Sequence, residues 1–175
     1  MKIILAMVIS ADGKSTKWDL KDQSWASPED KTHLIKLISD NNLILMGGKT
    51  YEVAKNFIKP REEKLRMVVT RNPQRFSADS IEDQLEFTNK PVTELILDLE
   101  KRGFEQLLLL SGEGLNRQFF EAGLVDEIIL TIEPKIFGSG NAIISETKLD
   151  LELKLLSYEK LNERGTLLLH YQIIR

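Results

Sequence analysis

Short apolar runs rich in Ile, Leu and Val alternate along the chain with amphipathic stretches, the pattern of a mainly parallel sheet covered by helices. The runs predict strands at residues 3–9, 43–46, 66–70, 106–110 and 127–133. Between them, Ser27 is a good N-cap, Pro28 suits the first helical position, and Glu29 and Asp30 suit the first turn, so a helix is predicted over 28–40. A second helix is expected from near Thr50, a third over 92–102 ending at Gly103, and a fourth just after Gly114 ending before Gly123. Two last strand-like runs, 153–161 and 166–174, flank Asn162, Glu163, Arg164 and Gly165 and predict a C-terminal antiparallel hairpin. No Pro-rich or Ser-rich linker and no internal repeat interrupts this order. The expected fold is therefore α/β: one domain over 1–175, in three layers, with a mainly parallel central sheet, flanking helices and the hairpin at its edge.

Composition narrows the class. A chain of 175 residues is long enough for one core and a ligand cleft of roughly 300 to 1,000 Å³. With 42% hydrophobic and 29% charged residues, it reads as globular, neither disordered nor membrane-spanning. The apolar start is cut off by Ser10-Ala11-Asp12-Gly13 and reads as a buried strand, not a signal peptide. The absence of cysteine rules out disulfides and a thiolate metal site, and makes the cytoplasm the default address. A net charge of −3 and a pI near 5.5 speak against broad nucleic-acid binding, which needs surplus Lys and Arg. His33 and His170 lie far apart without ligands at motif spacing, so no metal site is expected, and His33 reads as a surface or rim residue.

Three predicted strand ends carry candidate ligand-binding residues, and ligands of open α/β sheets bind outside the carboxyl ends of strands. Gly47, Gly48, Lys49 and Thr50 combine close-approach glycines with a cation and a hydroxyl at a helix start, which suits a phosphate or, equally, a tight strand-to-helix turn. Ser111, Gly112, Glu113, Gly114, Leu115 and Asn116 form a second glycine-rich turn that could seat a pyrophosphate or simply connect strand to helix. Thr70 and Arg71 form the third: a guanidinium and a hydroxyl could pair with a ribose 2′-phosphate, or Arg71 could be a solvated loop residue.

Asp30 is the candidate acid. It shares a helical face with Leu34 and with Leu37 or Ile38, so its carboxyl should meet apolar surroundings that raise its pKa. The Ser27-to-Asp30 spacing also fits a capping box with Asp in place of Glu, and both roles stay open. Trp25 either lines a cleft for a flat ring or covers the core, and Asp12 is either a turn residue or a substrate contact.

Taken together these residues resemble the dihydrofolate-reductase-like superfamily, and within it the reductase domain of the bifunctional riboflavin-biosynthesis deaminase-reductase. The similarity spans nearly the whole chain. Ser10-Ala11-Asp12-Gly13-Lys14 is similar to the family's turn after the first strand, and Met46-Gly47-Gly48-Lys49-Thr50 to its cofactor-phosphate segment. Val68-Val69-Thr70-Arg71 resembles the strand whose end holds the 2′-phosphate of NADPH. The stretch from Phe119 to Glu127, with Pro134, Phe137, Gly138 and Gly140 following, resembles the riboflavin-type reductase. Trp25, Pro28 and Asp30 match the spacing around the catalytic carboxylate of dihydrofolate reductase, and Thr131 resembles its pterin-contacting threonine. Two departures stand out: Gly48 replaces the usual Arg of folate enzymes, and Ser111-Gly112-Glu113-Gly114 lacks their adjacent Gly-Gly.

The resemblance implies hydride transfer from NADPH to a small heterocycle such as a ribosylaminopyrimidine. The two rings would lie beside Ala6 and Val8, and Asp30 would help supply the proton. It also implies a homodimer, and, with no cysteine for a zinc deaminase, a deaminase on another chain. Two alternatives remain: a dihydrofolate reductase, favoured by Trp25, Asp30 and Thr131, and a non-catalytic nucleotide-binding or scaffold protein, suggested by Gly48 and Glu113.

Overall fold

The computed structural model describes residues 1–20 and 22–175. Its elements follow the chain as β1 (Lys2–Ser10), α1 (Pro28–Asp40), β2 (Leu43–Gly47), α2 (Gly48–Ala54), β3 (Leu65–Val69), a 3₁₀ segment (Pro73–Asp79), β4 (Leu85–Thr88), α3 (Val92–Lys101), β5 (Gln106–Leu109), α4 (Glu113–Glu121), β6 (Glu127–Glu133), β7 (Glu152–Lys160) and β8 (Leu167–Ile174). The eight strands form one sheet in the order β4-β3-β2-β5-β1-β6-β8-β7. The first six of these pair in parallel, while β8 runs antiparallel to both β6 and β7. This is the α/β architecture expected from the alternating apolar runs.

Burial on both faces explains those runs. On β5, Leu107 and Leu109 pack in the layer of α3 and α4, where Val92, Leu95, Ile96, Leu99 and Phe119 lie, whereas Leu108 packs with Ala6, Ile44 and Val68 on the opposite face. Successive side chains alternate across the sheet, so a strand covered on both sides must be apolar at every position. Helix α1 starts where its cap specifies: Ser27 Oγ accepts the Asp30 amide hydrogen at 3.2 Å. Its far end is closed from outside, because the Lys64 side chain donates to the carbonyls of Ile38, Ser39 and Asn41. A cation there satisfies carbonyls that have no intrahelical partner.

Three local features differ from expectation. Helix α4 starts at Glu113 with Gly112 as N-cap, so Gly114 lies inside the helix rather than ahead of it, and α2 starts at Gly48, ahead of Thr50. Both glycines fall in the first turn, and the helices are held to the core by Phe119 and Phe120 on α4 and by Tyr51 on α2. Strand β4 and the 3₁₀ segment were not expected: β4 is four residues long, with Glu86 in its middle, too short and polar for a periodic signal. In the hairpin, β8 and not β7 joins β6, which leaves β7 at the sheet edge with every residue exposed. Among the described residues, no helix is long and apolar enough to cross a membrane.

Candidate active site

The sheet order sets β3, β2 and β5 side by side and parallel, so the turns that follow them meet at one edge. The approach is close. A Cβ on Gly48 would stand 3.1 Å from Thr70 Cβ and Oγ1, and one on Gly47 would stand 3.7 Å from Leu115 Cδ2. The glycine at position 48 thus has a local cause, the room taken by Thr70. Gly112 and Gly114 have no such cause: a Cβ on either would meet nothing within 4 Å, and neither has a left-handed φ. Open space over glycine at a helix start is where a ligand can approach backbone amides. Neither Gly47 nor Gly112 provides a side-chain cap, so the first-turn N–H groups behind them lack that partner. Lys49 and Arg71 are exposed beside these turns and form no ion pair among the described residues.

The polar side chains of the β5–α4 turn are employed differently. Ser111 Oγ donates to Asn116 Oδ1, and Asn116 Nδ2 donates to the Ile143 carbonyl at 2.7 Å and to Met7 Sδ at 3.1 Å. Glu113 Oε2 accepts the Ala142 amide hydrogen at 3.0 Å. These three residues fasten the segment after β6 onto α4, and Glu113 is the anchor of that segment. Thr50 and Leu115 stay partly exposed at the same edge.

On the other side of β1 lies a second group. Val8 pairs in register with Thr131, and Val8, Trp25 and Ala26 form a cluster with Phe137. The Trp25 and Phe137 rings meet edge to face at 5.0 Å. Trp25 is buried, yet its Nε1–H has no partner among the described residues, an uncommon state for a buried donor. Ala6 lies two positions before Val8 on the same face of β1. Asp30 is only 5% exposed. Burial pushes its carboxyl pKa up, Thr131's hydroxyl hydrogen bond opposes this, Glu133's charge adds to it, and His33 and Lys31 oppose it. The burial expected of Asp30 is present, although the groups acting on its carboxyl are polar, and the Ser27 cap engages its backbone amide instead.

Glu133 was missed by sequence reasoning, although it is buried and lies two positions after Thr131 on the same face of β6. Two polar residues at period-two spacing after an apolar run were the available signal. His33 is half-buried, with Nε2 lacking a partner among the described residues, and burial lowers its pKa.

Asp12 makes its hydrogen bonds within the chain. Its carboxylate accepts from Ser10 Oγ at 2.6 Å, from the Gly138 amide at 2.8 Å and from the Phe137 amide at 3.1 Å. The Ser10 hydroxyl, foremost, holds the Asp12 pKa down to about 2. This ties the β1–α1 loop to the segment after β6, and Ser15 N–H to Asn141 O at 2.8 Å and Asn141 N–H to Thr16 Oγ1 at 2.8 Å extend the tie. At its centre Gly140 has φ +142, and an added Cβ would fall 2.1 Å from the Thr16 carbonyl oxygen. Gly140→Ala should therefore destabilise by about 1–3 kcal/mol or more, read as a lower urea midpoint with an unchanged m-value.

A cavity of about 670 Å³ lies at the opposite, amino edge of the sheet, lined by Asp40, Arg61, Glu63, Lys64 and Glu105 among others. Cations and carboxylates mix there, Lys64, which closes α1, among them, and none of the candidate site residues lines it.

A three-layer α/β domain whose parallel strand tips converge, with a buried acid on the first helix, is of the dihydrofolate-reductase-like class. The chain belongs to the RibD C-terminal domain family, whose model matches residues 1–167. It is 24% identical over 164 residues to the uncharacterised protein YyaP of Bacillus subtilis, covering 89% of this chain and 87% of that one. Its fold is shared with a Shewanella sp. PV-4 protein named for riboflavin biosynthesis (TM-score 0.79, 21% identity, 100% of both chains). It is also shared with RibD of Acinetobacter baumannii (TM-score 0.78, 17% identity, 99% of this chain and 58% of that one). The family supports an oxidoreductase of the pyrimidine-reductase-like kind.

Proposed function

We propose that this protein is an NADPH-dependent reductase acting on a 5-amino-6-(5-phosphoribosylamino)uracil-type pyrimidine. The observation that carries the reading is the buried Asp30 carboxyl, with its raised pKa, one strand beyond β1 from three converging turns with free cations and uncapped amides. The open space over Gly112 and Gly114 fits a pyrophosphate, and the free Arg71, with Thr70, fits a ribose 2′-phosphate. Gly47, Gly48, Lys49 and Thr50 would hold the phosphates from the β2 side. Bound there, NADPH supplies the hydride.

The chain's own residues do the rest. Ala6 and Val8 give a flat apolar floor along β1, Trp25 and Phe137 close the substrate end against water, and Thr131 orients the Asp30 carboxyl. Asp30, kept protonated more readily by its burial, hands a proton to the substrate directly or through water. Orientation of two rings and one acid is the contribution a protein makes to cofactor chemistry.

A second reading is favoured by the unpartnered Trp25 Nε1–H and the Asp30–Thr131 pair: a dihydrofolate reductase. NADPH absorbance assays with the ribosylaminopyrimidine and with dihydrofolate separate the two. The features suggesting a non-catalytic scaffold have other causes here, since Gly48 makes room for Thr70 and Glu113 is taken by Ala142. Titration of NADPH fluorescence tests that reading, and absence of binding at millimolar cofactor would refute the reductase.

The protein is expected to act as a homodimer, supported by the exposed Leu153, Leu155, Leu156 and Tyr158 on edge strand β7. Leu155→Glu should convert a dimer to monomer in sedimentation equilibrium. Its lack of cysteine suits the reducing cytoplasm.

A further inference from the structure

Glu133 has no part in the reaction just described, yet it is 2% exposed and sits beside the acid. Both its oxygens are held. Oε1 accepts the Ser27 amide hydrogen at 2.6 Å and Oε2 accepts the Thr166 hydroxyl at 2.8 Å. Thr166 is itself fixed by Asn162, through Nδ2–H to Thr166 Oγ1 at 2.9 Å and Thr166 N–H to Asn162 Oδ1 at 3.2 Å. A carboxylate at this depth is tolerated only when so bonded, which fixes its place.

The Ser27 amide is the informative contact. In a capping box the N-cap hydroxyl accepts from the amide three residues on, and the carboxylate at that third residue accepts from the N-cap amide. Here the first half is present, from the Asp30 amide to Ser27 Oγ at 3.2 Å, and the second is supplied by Glu133 from another element.

We propose that Glu133 is a positioning residue for Asp30: by taking the Ser27 amide hydrogen it frees the Asp30 carboxyl from the helix cap and leaves it beside Thr131 at the proposed substrate end of the site. The catalytic half of this inference rests on the reading of Asp30 as the proton-supplying group, while the structural half does not. The groups facing Asp30 are Thr131 and Glu133 from β6 and His33 and Lys31 from α1, and Glu159 from β7 acts on His33.

The test is a pH titration of ¹³C-labelled aspartate carboxyls by NMR in the full chain, with Asp30→Asn as the assignment, compared with Glu133→Gln and Glu133→Ala. Glu133→Gln keeps an acceptor for Ser27 but no charge, so the Asp30 midpoint should move to lower pH. Glu133→Ala leaves the Ser27 amide to Asp30, so the midpoint should fall further. The kcat of Glu133→Ala should drop on the order of 100-fold with cofactor affinity unchanged, whereas Gln should lose less, its pH-rate profile shifting to lower pH with the Asp30 midpoint. Should the Ala variant not fold, hydrogen exchange at the Ser27 amide decides: it should stay protected in Asp30→Asn. Loss of that protection, or an Asp30 midpoint equal to wild type in the Glu133 variants, would overturn the proposal. A protein without reductase activity whose midpoint still shifts as stated would refute the assigned function and leave the positioning intact.

Discussion

Asp30→Asn is expected to lower kcat for the pyrimidine by roughly 100- to 10,000-fold near neutral pH, the range over which a positioned acid contributes. NADPH affinity should not change, because the side chain lies across β1 from the three turns. The same substitution makes an opposite prediction for stability. Asp30's pKa is raised in the folded state, chiefly by burial. Between its unfolded and folded values the native state binds more protons than the unfolded one, so stability falls as pH rises through the folded pKa. Asparagine removes that fall. Denaturant titrations should show the wild type losing stability from acid toward neutral pH while Asp30→Asn loses less. A carboxylate serving only as a cap predicts the reverse, a variant less stable at neutral pH, with full turnover.

Arg71→Ala is expected to narrow the preference for NADPH over NADH by roughly 10- to 100-fold, the worth of about 1.5–3 kcal/mol for a hydrogen bond to a charged group. Fluorescence titrations with the two cofactors measure the ratio, and NADH affinity should be nearly unaffected. Arg75 is the internal control. It pairs with Glu52 at 2.5 Å and lies over the Phe76 ring, so Arg75→Ala should leave the ratio unchanged. An unaltered ratio in Arg71→Ala would remove the 2′-phosphate from the assignment.

Much of the site's raw material was legible along the chain, though not its division of labour. The glycine turns, Thr70, Arg71 and Asp30 stand out because each breaks an apolar or helical pattern at its own position. What they do depends on partners distant in sequence. Ser111, Glu113 and Asn116 belong to a promising motif, and their side chains turn out to hold the segment after β6. Gly48, which departs from the folate enzymes, proves to be the space Thr70 needs. Glu133 carried too weak a signal, because its partner is a backbone amide on another element.

The sequence alone determined the elements whose causes are local. The start of α1 follows from Ser27 and Pro28, the buried strands from continuous Ile, Leu and Val runs, and the hairpin from the residues around Gly165, whose φ is +93. Capping, propensity and periodicity act within a few residues, so they can be read in order along the chain. Only the tertiary structure decided that β8 inserts beside β6, that β4 forms, and that Glu133, not Asp30, accepts the Ser27 amide hydrogen. Those outcomes depend on which surfaces meet when the layers close, and a buried polar group is settled by whichever donor reaches it, near or far in the chain.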